Sequence, residues 1–511
     1  VTIYTLEVQA HTGVEVRTFY AADRRYTTRP TDTPANQHFR ATIKDPGNLE
    51  RFLFGQGSTT GQSSIGVGEV VLVNADGRYD TWANYAFDGR PCIIKAIPVN
   101  GAGKPLVSYA AAPVLVRGTV ESVDLTDVYS TVRLRLYDRL SDLDRPLLTD
   151  RYAGSTTGPG ATAEGTTDLA GTVRPRVYGT VRNMAPVDVN PFDLIRQVSD
   201  AKCTAITVYD GGLALTPAAD FPSIAALQAA TIAPGQYATA LTLGLFRLGG
   251  SPAGVVTADV TADGPNTAAG IARAMLLDAG LSSADLDGAS FDALTAANGA
   301  PCGYLVGDDR SVLQAATDVL RSVGGWIVPR GDGAFQVGRL QAPSGAPVAS
   351  LADWQVRGSV QRLAPADSNR GVPAWRVVVR YGRLARPLTE GEIVGAVDPS
   401  RRAALSLAYR EAVAEDPSIK ARHLMAPEMT FETYLTETAD AQAEAARLLA
   451  IYGTRRAIWR VQLDQETARD VGLGQVVSLT LSRALRSGAL LVAIGRIDDC
   501  VNDRVQLDLW G

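Results

Sequence analysis

Histidine is almost missing from this sequence. Its 511 residues hold three, His11, His38 and His423, and none has a second histidine at metal-ligand spacing. The zinc-peptidase pattern H-E-x-x-H is absent, and so is the G-x-S-x-G nucleophile elbow. Cysteine is scarce as well. Cys92, Cys203, Cys302 and Cys500 lie far apart in the chain, so no C-x-x-C pair offers a zinc or iron–sulfur site, and buried free thiols are expected. The glycine-rich stretch from Gly55 to Gly61 lacks the lysine that a phosphate-cradling loop requires. No apolar run reaches the roughly 18 residues that span a bilayer, and no charged-then-apolar leader opens the chain, because Val1 to Val8 already alternates like a strand. These absences predict folding in a reducing cytosol. A basic excess is lacking too: the net charge is −5 and the sequence pI about 5.5, which argues against gripping nucleic acid by counterion release. No catalytic, metal-binding or cofactor-binding residue is expected, and the chain is not read as an enzyme.

What is present is the composition of a folded protein, 46% hydrophobic and 20% charged, in a length that calls for roughly three or four domains. The 49 glycines and 27 prolines are scattered, which suits many short strands joined by turns. One phrase occurs twice. Gly66, Val67 and Gly68 lead into Glu69, Val70, Val71, Leu72 and Val73, and Gly472, Leu473 and Gly474 lead into Gln475, Val476, Val477, Ser478 and Leu479. Each copy is followed by a glycine-bearing strand, Val116 to Glu121 or Val492 to Asp498, and then by an alternating one, Val132 to Tyr137 or Val505 to Trp510. The wider spacing in the first copy calls for an extra hairpin, which strand-like Cys92 to Ile97 supplies. Two related β-modules are therefore expected, one at each end.

Between them the texture changes. A hairpin is expected over residues 1–20, an extended surface loop over 26–40 and a further loop over 55–64. The Gly/Thr/Ala-rich stretch 151–168 reads as a linker. Asn266 or Thr267 can cap a helix that Gly280 closes, and Ser311 to Val323 forms another. After them come a strand from Trp326, a turn at Arg330 to Gly333 and a returning strand from Phe335. The strongest helix runs from Glu437 to Tyr452, with Gly453 as its stop. The reading is mainly β with α+β parts: a first β-module over 1–150, a β-rich middle domain over 151–264, a small α/β domain over 265–345, and a second β-module with a long helix over 346–511.

Carboxylates stand in pairs at Asp142 with Asp144, Asp308 with Asp309, and Asp498 with Asp499. Such pairs could do acid/base work or hold calcium, although turn and surface aspartates are a commoner origin. Trp82, Tyr85 and Phe87 form an aromatic cluster with two readings, an interaction surface for sugar or a partner, and core packing.

The order of textures, together with particular phrases, resembles the phage tail baseplate hub family, the ring that closes the tail tube at the tip of a long-tailed bacteriophage. The phrases are Gly68 to Asp80 with Phe87, Asp88, Gly89 and Arg90; Arg133 to Pro146; Arg174 to Asn183; Val198 to Leu215; and the helix, strand, turn, strand run from Thr267 to Leu340. The resemblance implies two tail-tube-like β-barrels per chain, and a homotrimer whose six barrels face a sixfold tube while its threefold symmetry meets the tip. Implied partners are a distal tail protein, the tail tube or tape-measure protein, and tip or fibre proteins. DNA would pass through the channel without specific binding, helped by a charge of three times −5, or −15, per trimer. The implied location is the virion, after assembly in the host cytoplasm. Some hubs carry C-terminal fibre, sugar-binding or hydrolase modules; this sequence stops at Gly511, which implies that those roles sit on other proteins. The competing expectations are a virion-associated hydrolase using Asp142 or Asp308, a hexameric distal tail protein, and a carbohydrate-binding adaptor using Trp82 and Tyr85.

Overall fold

A computed structural model describes residues 2–125, 130–160 and 162–511. The sequence expects a hairpin at its start, and Thr2–His11 does pair antiparallel with Val16–Ala22. On its other side Thr2–His11 pairs with Pro91–Pro98, which pairs with Val114–Asp124 and through it with Thr131–Asp138. The alternation in this last strand is the period-two pattern of a sheet with one buried face: Val132, Leu134 and Leu136 are buried while Arg133 and Arg135 face out. They close a core shared with Leu6, Val8, Val70, Leu72 and Ile94.

The strands at the other end of the chain form a second sheet with its own core of Val461, Leu463, Val477, Leu479, Val505 and Leu507. The two sheets are not separate. The short strand Asn48–Phe52 pairs with Val67–Val73 on one side and with Ala489–Asp499 on the other, so both ends of the chain share one sixteen-stranded sheet. No closed barrel occurs among the described residues: the path runs open from Val356–Leu363 at one extremity to Tyr26–Thr27 at the other.

The repeated phrase occupies different places in the two halves. Val67–Val73 pairs with the last strand of its meander, Thr131–Asp138, whereas Val476–Thr480 pairs with the middle one, Ala489–Asp499. Gly118 stands opposite Asp138, but Gly495 stands opposite Asp508. Gly68 leaves room for Leu49, whose Cδ2 would lie 2.6 Å from an added Cβ; Gly474 has φ +79° and leaves room for the ring of Trp326. The words match while pairing, register and glycine role differ.

Two five-stranded sheets fill the middle, one containing Arg176–Met184, Cys203–Asp210 and Val256–Ala262, the other Gln236–Ala240 and Leu245–Leu248. Gly303–Val306 joins the first of them by pairing with Arg176–Met184. Residues 376–452 build a further unit, in which Arg376–Tyr381 lies between Arg410–Glu415 and Glu428–Glu432 under the helix Thr438–Tyr452. One large core gathers this helix, Ala268–Asp278 and Val312–Arg321, and extends to Val492, Ile494 and Trp510. Leu491 and Ala493 point instead into the C-terminal core. Ala489–Asp499 is thus apolar on both faces because each face has a core to fill.

Local signals hold where capping chemistry is explicit. Thr267 accepts from the Gly270 N–H at 3.2 Å, and Gly280 closes the helix with φ +88°. Gly453 differs: its φ is −75°, and an added Cβ would sit 2.6 Å from the Leu449 carbonyl oxygen, so that position needs space rather than left-handed freedom. Two loops are more tightly held than their composition suggests. Tyr26 and Phe39 in the 26–40 segment are buried and pack with Tyr109 at ring distances of 5.3–6.0 Å. In 151–168, Tyr152, Thr156 and Ala163 are buried, and the Gly165 N–H donates to Val189; Gly154 and Gly165, both at positive φ, serve hydrogen-bonded turns.

Candidate assembly seam and cleft

The strand that joins the two halves carries an arginine in an otherwise short, weakly apolar segment. Arg51 stands directly opposite Arg496, and Asp498 opposite Leu49. Two like charges across a rung repel, so the arrangement needs a counter-charge, and Asp498 supplies it. Its fully buried carboxylate accepts from Arg496 Nη2 at 2.7 Å and Nε at 3.0 Å, and from Arg51 Nη2 at 2.9 Å. Arg496 Nη1 also donates to the carbonyls of Ala468 and Val471, both at 2.7 Å. Burial would raise the Asp498 carboxyl, but the two guanidiniums more than offset it and hold the group below the usual carboxylate range.

Asp138 lies at the same junction with the opposite balance. Burial pushes its carboxyl up to about 7, against the pull of the Leu140 N–H, which donates to it at 2.9 Å, and of Arg51 nearby. Gly66 leaves room for it, since an added Cβ would lie 2.5 Å from Asp138 Oδ2.

Beside the seam opens a cleft of about 890 Å³, walled by Pro98, Val99 and Leu106 and rimmed by Arg330, Glu466, Arg469, Asp470 and Asp503. Tyr4 on the first strand donates its hydroxyl proton to Gln465, binding this rim to the N-terminal sheet. A second buried ion cluster fixes the long helix: Glu444 accepts from Arg447 Nε at 2.9 Å and from Arg339. The segment 55–64 is tied down through Thr59, which donates to Asp367 and approaches the Tyr452 hydroxyl at 3.3 Å.

Among the described residues, the long sheet presents an open strand edge at one extremity and another near the opposite one. Val356–Leu363 has one neighbour, Ile458–Asp464, with a register break between Arg357 and Gln361. Val16–Ala22 is covered on its outer side at Ala21 and Ala22 alone, leaving 16–20 unpaired there. Arg357, Arg362 and Arg17 stand on these edges, as charged residues do where uncontrolled strand addition must be limited.

The aromatic trio is mostly interior. Trp82 and Phe87 are buried with ring centroids 4.8 Å apart, Phe19 meets Trp82 at 5.1 Å, and Tyr85 alone is half-buried. A sugar or partner would find Tyr85 but not the other two, because they hold the N-terminal core together. The carboxylate pairs do not converge. Asp142 accepts from Arg139 at 3.1 Å, Asp308 from Arg310 at 2.6 Å, and Asp309 from Arg151. Asp498 is sealed in the seam while Asp499 accepts from Asn502. All four cysteines are free and buried, and burial pushes the Cys92, Cys203 and Cys302 thiols up to about 12. Among the described residues no group of three or more His, Cys, Asp or Glu could hold a metal ion, and no helix is long and apolar enough to cross a membrane. Sequence reasoning missed Arg51, Asp138, Glu444 and the cleft. The sole available signal was the pairing of Arg496 with Asp498 two residues apart inside an apolar strand.

No family model matches this chain, and no curated protein matches it. Among solved structures it is similar to the tail protein from Neisseria meningitidis MC58, with TM-score 0.40 and 11% identity over 99% of this chain and 96% of that one. It is similar also to the 43 kDa tail protein of prophage MuSo2 from Shewanella oneidensis, with TM-score 0.39 and 8% identity over 100% and 96%. A chain of the virion of a native gene transfer agent particle gives TM-score 0.41 and 15% identity over 71% of this chain and 88% of that one. Likenesses of this size carry no functional argument.

Proposed function

We propose that this chain is a structural ring subunit at the tip of a phage tail, of the baseplate hub kind, acting as a homotrimer and not as an enzyme. The observation that carries the proposal is the single sheet built from both ends of the chain, with one open edge at one extremity and a different one near the other. Two unlike edges on one rigid body allow a head-to-tail contact, and such contacts close into a ring when the rotation permits. Each copy brings two antiparallel meanders with separate cores, so three copies offer six, quasi-equivalent because the pairing within them differs. In this reading the ring joins a distal tail protein or tail tube to tip or fibre proteins, lies near the tape-measure protein, and surrounds the path of DNA within the virion.

Mass measurement of the assembled chain tests it. Three copies of 54.0 kDa, about 162 kDa, are expected; six would assign the chain to a distal tail ring, and a monomer at every concentration would sink the proposal. The hydrolase reading finds no support in Asp142 and Asp308, which are held apart by different arginines, Arg139 and Arg310.

A further inference from the structure

We propose that Asp138 makes the seam a proton-operated joint, in which the neutral carboxyl leaves Arg51 to Asp498 and the ionised carboxylate draws the Arg51 guanidinium toward itself. Such a joint works within one chain, whatever number of copies assemble.

The seam is one carboxylate short. Its ion pairs set two guanidiniums, those of Arg51 and Arg496, against Asp498 alone. Arg496 is satisfied, because Nε and Nη2 donate to Asp498 and Nη1 donates to the carbonyls of Ala468 and Val471. Arg51 is not. Its Nη2 reaches Asp498 at 2.9 Å, but its Nε is buried without a hydrogen-bond partner among the described residues. A buried donor left unpaired costs free energy that an acceptor would recover.

Asp138 is placed to be that acceptor. Its N–H donates to the Gly66 carbonyl at 2.9 Å, which fixes the end of Thr131–Asp138 beside the seam. A Cβ added at Gly66 would lie 2.5 Å from Asp138 Oδ2, 2.8 Å from the Glu50 carbonyl oxygen and 3.1 Å from Arg51 Cγ. Carboxyl and guanidinium stem therefore lie against the same glycine, and residue 66 brings no side chain between them.

The surrounding charges leave the choice open. Asp138 Oδ1 accepts from the Leu140 N–H at 2.9 Å, capping the one-turn helix Arg139–Leu143. On that helix Asp142 opposes ionisation of Asp138, and Arg139 is held by Asp142 and by Asp285. Arg496 and Asp498 stand on the next strand, Ala489–Asp499, with Arg496 opposite Arg51. Burial, the largest influence, pushes the Asp138 carboxyl up to about 7 against the pull of the Leu140 and Gly66 backbone and of Arg51. Both forms are thus populated around neutral pH. Because the folded value lies above the unfolded one, the seam is held best on the acid side and loosens as pH rises through 7. The ionised carboxylate then competes with Asp498 for Arg51, and the rung of Arg51 and Arg496 loses part of its counter-charge.

Amide hydrogen exchange of the full chain, referred to free-peptide rates at each pH, reads the joint. Protection in Asn48–Phe52 should fall about thirtyfold between pH 5.5 and 8.5, since one proton is released roughly 1.5 pH units above the starting point. Asp138→Asn cannot ionise and should give a flat profile; Asp138→Ser, which can also accept from the Leu140 N–H, takes its place if the asparagine variant does not fold. Arg51→Gln should move the midpoint of the fall to higher pH, because the cation that favours the carboxylate is gone. A flat wild-type profile, or a fall that persists without Asp138, overturns the joint. A fall that Asp138→Asn abolishes but Arg51→Gln leaves at the same midpoint shows Asp138 titrating independently of Arg51, and overturns the sharing of Arg51 between two carboxylates.

Discussion

Replacing Asp498 with alanine should be among the most damaging single changes available in the seam, for a reason that can be worked from the geometry. The substitution leaves Arg51 and Arg496 opposite each other on adjacent strands, one of them almost fully buried, with no counter-charge between them. Removing one partner of a buried ion cluster costs about 3–5 kcal/mol, because the remaining charges stay desolvated. For a cooperative unit of 150–250 residues, each kcal/mol lowers the midpoint by about 2–4 °C, so the transition that includes the seam should fall by roughly 6–20 °C. A chain with several cores need not unfold in one step. Amide hydrogen exchange in Asn48–Phe52 and Ala489–Asp499 is therefore the more direct readout, and protection there should drop while that of Val312–Arg321 holds. The control is Asp464→Ala, which removes the exposed pair with Arg357 on the edge strand and should cost no more than about 1 kcal/mol. Because the folded Asp498 carboxyl lies below its ordinary value, its contribution is complete above the unfolded pKa and disappears as pH falls through the folded one. The gap between wild type and variant should be wide at pH 7 and narrow in strong acid. A loss under about 1 kcal/mol at pH 7, with exchange in the seam unchanged, would refute the reasoning.

Asp138 should behave in the opposite sense. Its folded carboxyl titrates near 7, above the unfolded value, so the native state holds the proton more tightly and stability falls as pH rises from about 4 to 7. At about 1.4 kcal/mol for each tenfold change in proton affinity, the cost at pH 8 is at most about 4 kcal/mol. Asp138→Asn keeps the acceptor for the Leu140 N–H and should be more stable than wild type at pH 8 but not at pH 4, as denaturant unfolding will show; equal pH slopes in the two proteins would count against it. Gly118→Ala should open the N-terminal meander, since the new Cβ would meet the Tyr137 carbonyl oxygen at 1.9 Å, a loss at or beyond the ~1–3 kcal/mol of ordinary overpacking. Gly89→Ala has only the strain of φ +68° to bear and empty space around it, so thermal melts should rank the two clearly. Trp82→Ala should cost about 3–5 kcal/mol of stability in the N-terminal sheet, whereas Tyr85→Ala should melt within about 1 kcal/mol of wild type; selective loss of glycan binding in a stably folded Trp82 variant would contradict a core role.

Elements whose evidence is local were legible in the sequence. The alternation Val132 to Tyr137 needs one buried face to be read, and the helix after Thr267 announces both its cap and its glycine stop. The seam was not legible because its evidence is distant. Asn48–Phe52 has two strongly apolar positions, Leu49 and Phe52, and besides its short pairing with Val67–Val73 it joins a strand some four hundred residues further along the chain, so no window of sequence contains the seam. Glu444 sits in an alanine-rich helix where a glutamate ordinarily faces water, and it is buried between Arg447 of the same helix and Arg339, which arrives from another unit. Gly154 and Gly165 resemble linker residues, yet their positive φ values serve turns closed against Ala170 and Leu169. The repeated phrase misled in a more specific way: matching residues at matching spacing predicted matching pairing, although strand partners are chosen by what the opposite edge offers.

In the ring reading, the chemistry of the seam bears on assembly as well as on stability. An apolar rung would join the two sheets with less cost in desolvation, but apolar rungs tolerate sliding, and a slip of one residue turns every side chain to the opposite face. With Arg51 set against Arg496 and Asp498 two residues on, any other register leaves two buried guanidiniums without their carboxylate. The joint therefore admits one arrangement, which fixes the angle between the two meanders. If the chain closes into a ring, that angle decides whether successive copies meet after three steps or miss. It follows that Asp498→Asn, which preserves the volume and some of the hydrogen bonding, should disturb the number of copies per particle more than a change of similar energetic cost in the core of either meander, for example Leu134→Ala. Native mass spectra of the two variants, compared at equal loss of stability, decide the point, and identical stoichiometry in both would show that the seam sets stability alone.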